Sequence, residues 1–182
     1  VEKQVTDALA AVEQGDVELA QQVLSNDYQV NNYEVSIDDE CTRIIAKRQP
    51  AAGDLRLIMA IVKTISDLER IGDEAQKIAR VALENFSSSQ QDLLVNLDNL
   101  GRRVLEFLQA SLDAFTRMDC ETAIKIHQMD DKINREYEAL MRQLMTYMME
   151  DPRSIPQVMT VIWSARALER IGDRCQNICE YI

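Results

Sequence analysis

The chain has 182 residues, 46% hydrophobic and 28% charged, enough for one or two globular units with a buried core. Its net charge of −11 removes the basic face that non-specific nucleic-acid binding needs, and no apolar run approaches the roughly 18 residues that would span a bilayer. Glycine (5), proline (3) and aromatics (5%) are scarce and helix formers dominate, so an all-α protein is expected.

Val1, Val5, Leu9 and Val12 recur at helical spacing and stop at Gly15-Asp16. The chain opens already periodic, and its last residues, NICEYI, are periodic still. It therefore reads as a piece that starts and stops inside helices, with its first helix truncated. A second, long helix is expected from Val17 through Ala20, Leu24, Val30, Ile37 and Cys41 to Ile44, stopping near RQPAAG (48–53). Asp54 starts the third, with Leu55, Ile58, Val62, Ile65, Leu68, Gly72, Ala75, Ala79, Ala82 and Phe86 on one face. The polar stretch SSSQQ (87–91) is expected to link a first bundle, residues 1–86, to a second, residues 92–182. Helix four carries Leu94, Leu97, Leu100, Val104, Phe107, Ser111 and Phe115 and ends near Met118-Asp119. Helix five is expected from about Glu121 to Glu150. After the turn DPRSIP (151–156), helix six carries Val158, Ile162, Ala165, Leu168, Gly172, Cys175 and Cys179. The result is two tandem antiparallel three-helix bundles related by an internal repeat.

The repeat is explicit in one phrase. Residues 67–79 read DLERIGDEAQKIA and residues 167–179 read ALERIGDRCQNIC, with 8 of 13 positions identical. The 13 residues before each share only Met59 with Met159, although their apolar positions match. Packing alone let that stretch drift, so something beyond core filling constrains LERIGD.

Glu69 and Asp73 lie four apart on one helix face, as do Glu169 and Asp173. Like charges at that spacing are mildly unfavourable, and a cation between them would remove the conflict. Gly72 and Gly172 each sacrifice about 1 kcal/mol of helix propensity, which points to close approach of another group. A plainer reading pairs each acid with an arginine three residues away: Arg70 with Asp73, Arg166 with Glu169, Arg170 with Asp173. Folding the second helix back on the third about RQPAAG brings Asp27 level with Asp73 and Asn31 level with Glu69. Folding about DPRSIP brings Asp130 and Asn134 to Asp173 and Glu169 within a turn, about 5 Å. Each half then gathers three carboxylates and one amide. Hard oxygen ligands of this kind suit Mg²⁺, Mn²⁺, Ca²⁺ or iron, and zinc less specifically.

Other constellations carry less. The four cysteines form no CxxC pair and read as reduced, buried thiols of a cytoplasmic protein. A ferritin-type di-iron centre would want Glu-x-x-His pairs, and the chain has one histidine, His127, preceded at i−3 by Ile124. Ser111 has no base beside it, and no glycine-rich phosphate cradle is present, so neither a hydrolase nor an organic cofactor is expected. Met141, Met145, Met148 and Met149 recur at helical spacing and read as core. Trp163 is left open between core and interface.

The paired LERIGD motifs, RQPAAGDLR (48–56), RQLMTYMMEDPRSIP (142–156) and ERIGDRCQNICEYI (169–182) together resemble the PhoU family of phosphate-uptake regulators, along the whole chain. The resemblance implies two three-helix bundles, often paired as a homodimer, and a non-enzymatic cytoplasmic negative regulator of phosphate homeostasis. Such proteins restrain the phosphate ABC transporter, through its ATPase component, and keep the phosphate-sensing histidine kinase of a two-component system silent. They reach the membrane only through those partners. Some members carry iron or zinc clusters on E(D)xxxD motifs and others Mg²⁺ or Mn²⁺. Those motifs match Glu69/Asp73 and Glu169/Asp173, with Asp27 and Asp130 in the partner helices. Asn31 and Asn134 stand where a second Asp could be, which lowers the charge of both sites and favours a weaker Mg²⁺ or Mn²⁺ site. The alternative from a different class is a metal-buffering helical bundle.

Overall fold

A computed structural model describes residues 1–84, 86 and 91–182. Among them are eight α-helices and no strand: α1 (Glu2–Gln14), α2 (Val17–Asn26), α3 (Tyr28–Arg48), α4 (Ala52–Ala79), α5 (Gln91–Arg117), α6 (Cys120–His127), α7 (Asp130–Glu150) and α8 (Ile155–Glu180). Short 3₁₀ turns follow α4 and precede α8. The expected linker, 87–91, falls outside the described residues except for Gln91, which opens α5. Among the described residues no helix is long and apolar enough to cross a membrane.

The all-α repeat is as expected, and two of its rods are broken. The second helix divides at Asp27 into α2 and α3, and the fifth divides at Gln128-Met129 into α6 and α7. Both breaks are short turns that shift the hydrogen-bond register without reversing the chain. Asp27 keeps right-handed helical angles (φ −60°, ψ −31°), while its carbonyl accepts from Val30 N at 2.9 Å, one residue earlier than an α-helix would. At the second break, Met129 N bonds Ile126 O at 2.8 Å and Lys132 N bonds Met129 O at 3.1 Å. α1 ends as its sequence proposes, with Gly15 in the left-handed region at φ 63°, where glycine carries no Cβ penalty. At the matching end of α5, Met118 adopts φ 51°.

The two repeats pack through their motif helices. α4 lies antiparallel to α8, α1 packs on both α4 and α5, and α3 and α7 flank α4 and α8 respectively. One hydrophobic cluster runs from Val5, Leu9 and Val12 of α1 through Ile71 and Ile78 to Phe107, Leu168, Ile171, Ile178 and Leu144. Three cysteines are buried as expected, all four are free thiols, and Cys120 is exposed. The methionine stripe divides: Met141 and Met148 pack on the core, whereas Met145 and Met149 are exposed, because α7 has solvent on the side away from α5 and α8. Trp163 is exposed on α8.

Candidate functional site

The register breaks position the carboxylates. Asp27 and Asp130 sit at the first residue after each shift and are each 8% exposed, on the face turned toward the motif helix. Each points at a motif glycine. A Cβ added to Gly72 would lie 3.1 Å from Asp27 Oδ1 and 3.1 Å from Gln4 Oε1; one added to Gly172 would lie 3.5 Å from Asp130 Oδ1. The glycines thus open the helix surface to an incoming acid, which is the close approach their presence proposed.

In the first group, Gln4 Nε2 donates to Asp27 Oδ1 at 2.8 Å. Burial, then Asp73, Glu34 and Asp27, raise the Glu69 carboxyl above its ordinary pKa, with Arg70 opposing. Burial and Asp27 raise Asp73, against Lys77. Asn31, expected level with Glu69, is exposed, and the half-buried Glu34 one turn on is the α3 residue whose charge reaches Glu69.

The second group repeats the plan. Asn134 Nδ2 donates to Asp130 Oδ2 at 2.7 Å, so this amide does join its site. Asp130 Oδ1 is buried without a hydrogen-bond donor. Burial and Asp173 raise Asp130; burial and Asp173 also raise Glu169, against Arg166 and Arg170. Burial raises Asp173, against Arg174 and Arg170.

The arginine-pair reading is not realised among the described residues. Arg170 instead crosses to Glu74 (3.3 Å) and Arg174 to Asp67 (3.2 Å), both on α4, and Glu74 also takes Lys77 at 2.8 Å. Tyr181 Oη donates to the second Asp67 oxygen at 2.9 Å. Among the described residues no motif acid forms an ion pair with an arginine. Burial is the first cause at each, neighbouring acids add to it at Glu69, Asp73, Asp130 and Glu169, and nearby arginines oppose it at Glu69, Glu169 and Asp173.

Carboxylate and amide oxygens are the donor type that hard cations take, and Asp130 Oδ1 is a buried acceptor with no donor. Among the described residues, however, no three His, Cys, Asp or Glu side chains converge as an ion's ligands. A closed protein cage is therefore not built here. The arrangement fits an ion that keeps much of its water and takes one or two carboxylates, as Mg²⁺ does.

Ser111 Oγ donates to Phe107 O at 2.7 Å inside the core. His127 Nε2 contacts Gln176 Nε2 at 2.9 Å and lies 3.6 Å from Glu180. A cleft of about 680 Å³ between α5 and α7 is lined by none of the residues of either acidic group. Its polar walls satisfy each other, Asn96 with Gln143 and Arg103 with Glu136.

The PhoU domain description matches residues 1–82 and again 97–182, one match per repeat. The chain belongs to the PhoU family. It is 59% identical over 182 residues to the phosphate-specific transport system accessory protein PhoU of Serratia marcescens, and 57% identical to that of Escherichia coli (strain K12). Both alignments span all of this chain, and 75% and 76% of the respective relatives. The crystal structure of PhoU from Pseudomonas aeruginosa superposes with a TM-score of 0.91 at 48% identity, covering 99% of this chain and 87% of that one. A phosphate transport system regulatory protein PhoU from Streptococcus pneumoniae superposes at 0.88 with 30% identity, over 99% and 84%. The PhoU repeat thus coincides with the two halves that carry LERIGD.

Proposed function

We propose that this PhoU chain is a non-enzymatic cytoplasmic negative regulator of phosphate uptake and starvation signalling. It acts as an adaptor between the phosphate ABC transporter and the phosphate-sensing histidine kinase, biasing the conformations of both. The observation that carries this reading is the PhoU match over both repeats, with relatives named as accessory proteins of phosphate transport. The site set is Asp27, Asn31, Glu69, Asp73, Asp130, Asn134, Glu169 and Asp173, with Glu34 added to the first group on its charge at Glu69. These hold hydrated Mg²⁺ or Mn²⁺, and the functional unit is a homodimer.

The test is a phosphate-starvation reporter in host cells that lack the gene and grow at high phosphate. Full-length wild type restores repression. The folded variant with Glu69, Asp73, Glu169 and Asp173 all changed to Ala does not. A reporter silent without the gene refutes the regulator; repression restored by both proteins reduces the motif acids to packing.

A further inference from the structure

The two acidic groups share a plan and differ at one oxygen. Asp130 Oδ1 is buried, faces Gly172 and has no donor, while Asn134 holds the other oxygen. The matching oxygen of Asp27 is closed by the Gln4 amide N–H at 2.8 Å. Gln4 comes from α1. Its repeat mate, at the offset of 103 that carries Asp27 to Asp130, is Phe107, which is fully buried and has no polar atom to offer. Each carboxylate therefore has one uncharged donor, but the glycine-facing oxygen is capped only in the first; among the described residues nothing donates to Asp130 Oδ1. Arg170 and Arg174, which adjoin Glu169 and Asp173 in sequence, are engaged by Glu74 and Asp67 across the α4–α8 interface.

We propose that the two acidic sites are not equivalent: the α7–α8 site takes a hard divalent cation first through Asp130 Oδ1, while the Gln4 amide stands in for a cation at the α1–α3–α4 site. This rests on the cation reading given above. At the second site an arriving ion breaks no hydrogen bond of Oδ1 among the described residues. At the first it must displace the Gln4 N–H from Asp27, or turn the amide so that Oε1 faces it. That oxygen is itself buried without a donor, so the amide is free to be turned. Either step subtracts affinity from the first site.

The experiment is a Mn²⁺ titration of the full-length protein, with free ion counted by its paramagnetic resonance signal, on wild type, Asp130→Asn, Asp27→Asn and Gln4→Leu. Two affinities are expected. Asp130→Asn removes the tighter and Asp27→Asn the weaker. Gln4→Leu tightens the weaker by roughly tenfold, the scale on which groups supporting a metal ligand act. Thermal unfolding gives a second readout: Mn²⁺ raises the Tm of Asp27→Asn more than that of Asp130→Asn. If Asp130→Asn fails to fold, Asp173→Asn reports on the same site. Loss of the tighter phase in Asp27→Asn, two equal affinities, or a Gln4→Leu that leaves or weakens the first site overturns the proposal alone. A wild type that binds no Mn²⁺ at free ion on the order of 1 mM overturns the cation reading, and the proposal with it.

Discussion

Gly72 and Gly172 occupy the same place in the repeat, yet a methyl group would meet different neighbours at each. At Gly172 the nearest atoms, Asp130 Oδ1 and Ile133 Cγ2, lie at 3.5 Å, an ordinary contact. Alanine there gains its helix propensity, about 1 kcal/mol. At Gly72 the methyl would crowd two oxygens at 3.1 Å and press on the Gln4–Asp27 hydrogen bond, a contact of about 1 kcal/mol. In urea denaturation without divalent ions, Gly172→Ala is therefore expected to be more stable than Gly72→Ala by about 1–2 kcal/mol. Equal stabilities would remove close approach as the reason for Gly72. A gain at 172 would also mean that packing does not account for its glycine, which leaves access to Asp130 as the remaining explanation.

Between elements, the α4–α8 interface explains where the repeat has diverged. Asp67 faces Arg174, and Glu74 faces Arg170. Their repeat mates are Ala167 for Asp67 and Arg174 for Glu74, so the two differences pair acid with base across the internal axis. The Asp67 side chain is 6% exposed and accepts from both Arg174 and Tyr181. Asp67→Ala is expected to cost about 2 kcal/mol, because it strands two donors. Arg174→Ala on top of it should cost less than the sum of the single changes by at least about 0.5 kcal/mol. A double-mutant cycle in chemical denaturation checks this; strict additivity would mean that the pair is not coupled. That pairing was invisible along the chain because it joins residues 107 apart. The helices themselves were legible from apolar spacing, and so were the Asp27–Asp73 and Asp130–Asp173 neighbourhoods. The breaks at Asp27 and Met129 were not, since neither Gly nor Pro marks them and the backbone stays helical. Glu34 was missed because counting back from the turn favoured Asn31. A charge standing in the stripe of Asp27, Val30, Ile37 and Cys41 was the signal available. Gln4 gave a similar one beside Val1, Val5 and Ala8.

Across the whole molecule the motif acids act together on stability. Glu69, Asp73, Asp130, Glu169 and Asp173 are all held above the ordinary carboxylate range, burial being the first cause in each. Neighbouring acids add to it in the first four, whereas Arg70, Lys77, His127, Arg166, Arg170 and Arg174 oppose it. The sign follows from proton counts. Above about pH 4, the unfolded chain has released protons that the folded sites still hold. The stability these groups contribute is fully present below that value and is lost as pH rises through their raised pKa values. Asp119 and Asp151, lowered by Thr122 and Arg153 respectively, act in the opposite sense at more acidic pH. The net charge of −11 adds self-repulsion in the same direction as the motif acids. In chelator, Tm should fall as pH rises from about 5 towards neutrality. Excess Mg²⁺ or Mn²⁺, which binds the ionised carboxylates, should flatten that fall, most strongly at neutral pH where the ion has no proton to displace. Changing the five acids to their amides should flatten it without metal. A wild type whose Tm is level across this range in chelator contradicts the shifts. A slope that survives in the amide variant assigns the effect to overall charge, and detaches it from the LERIGD sites.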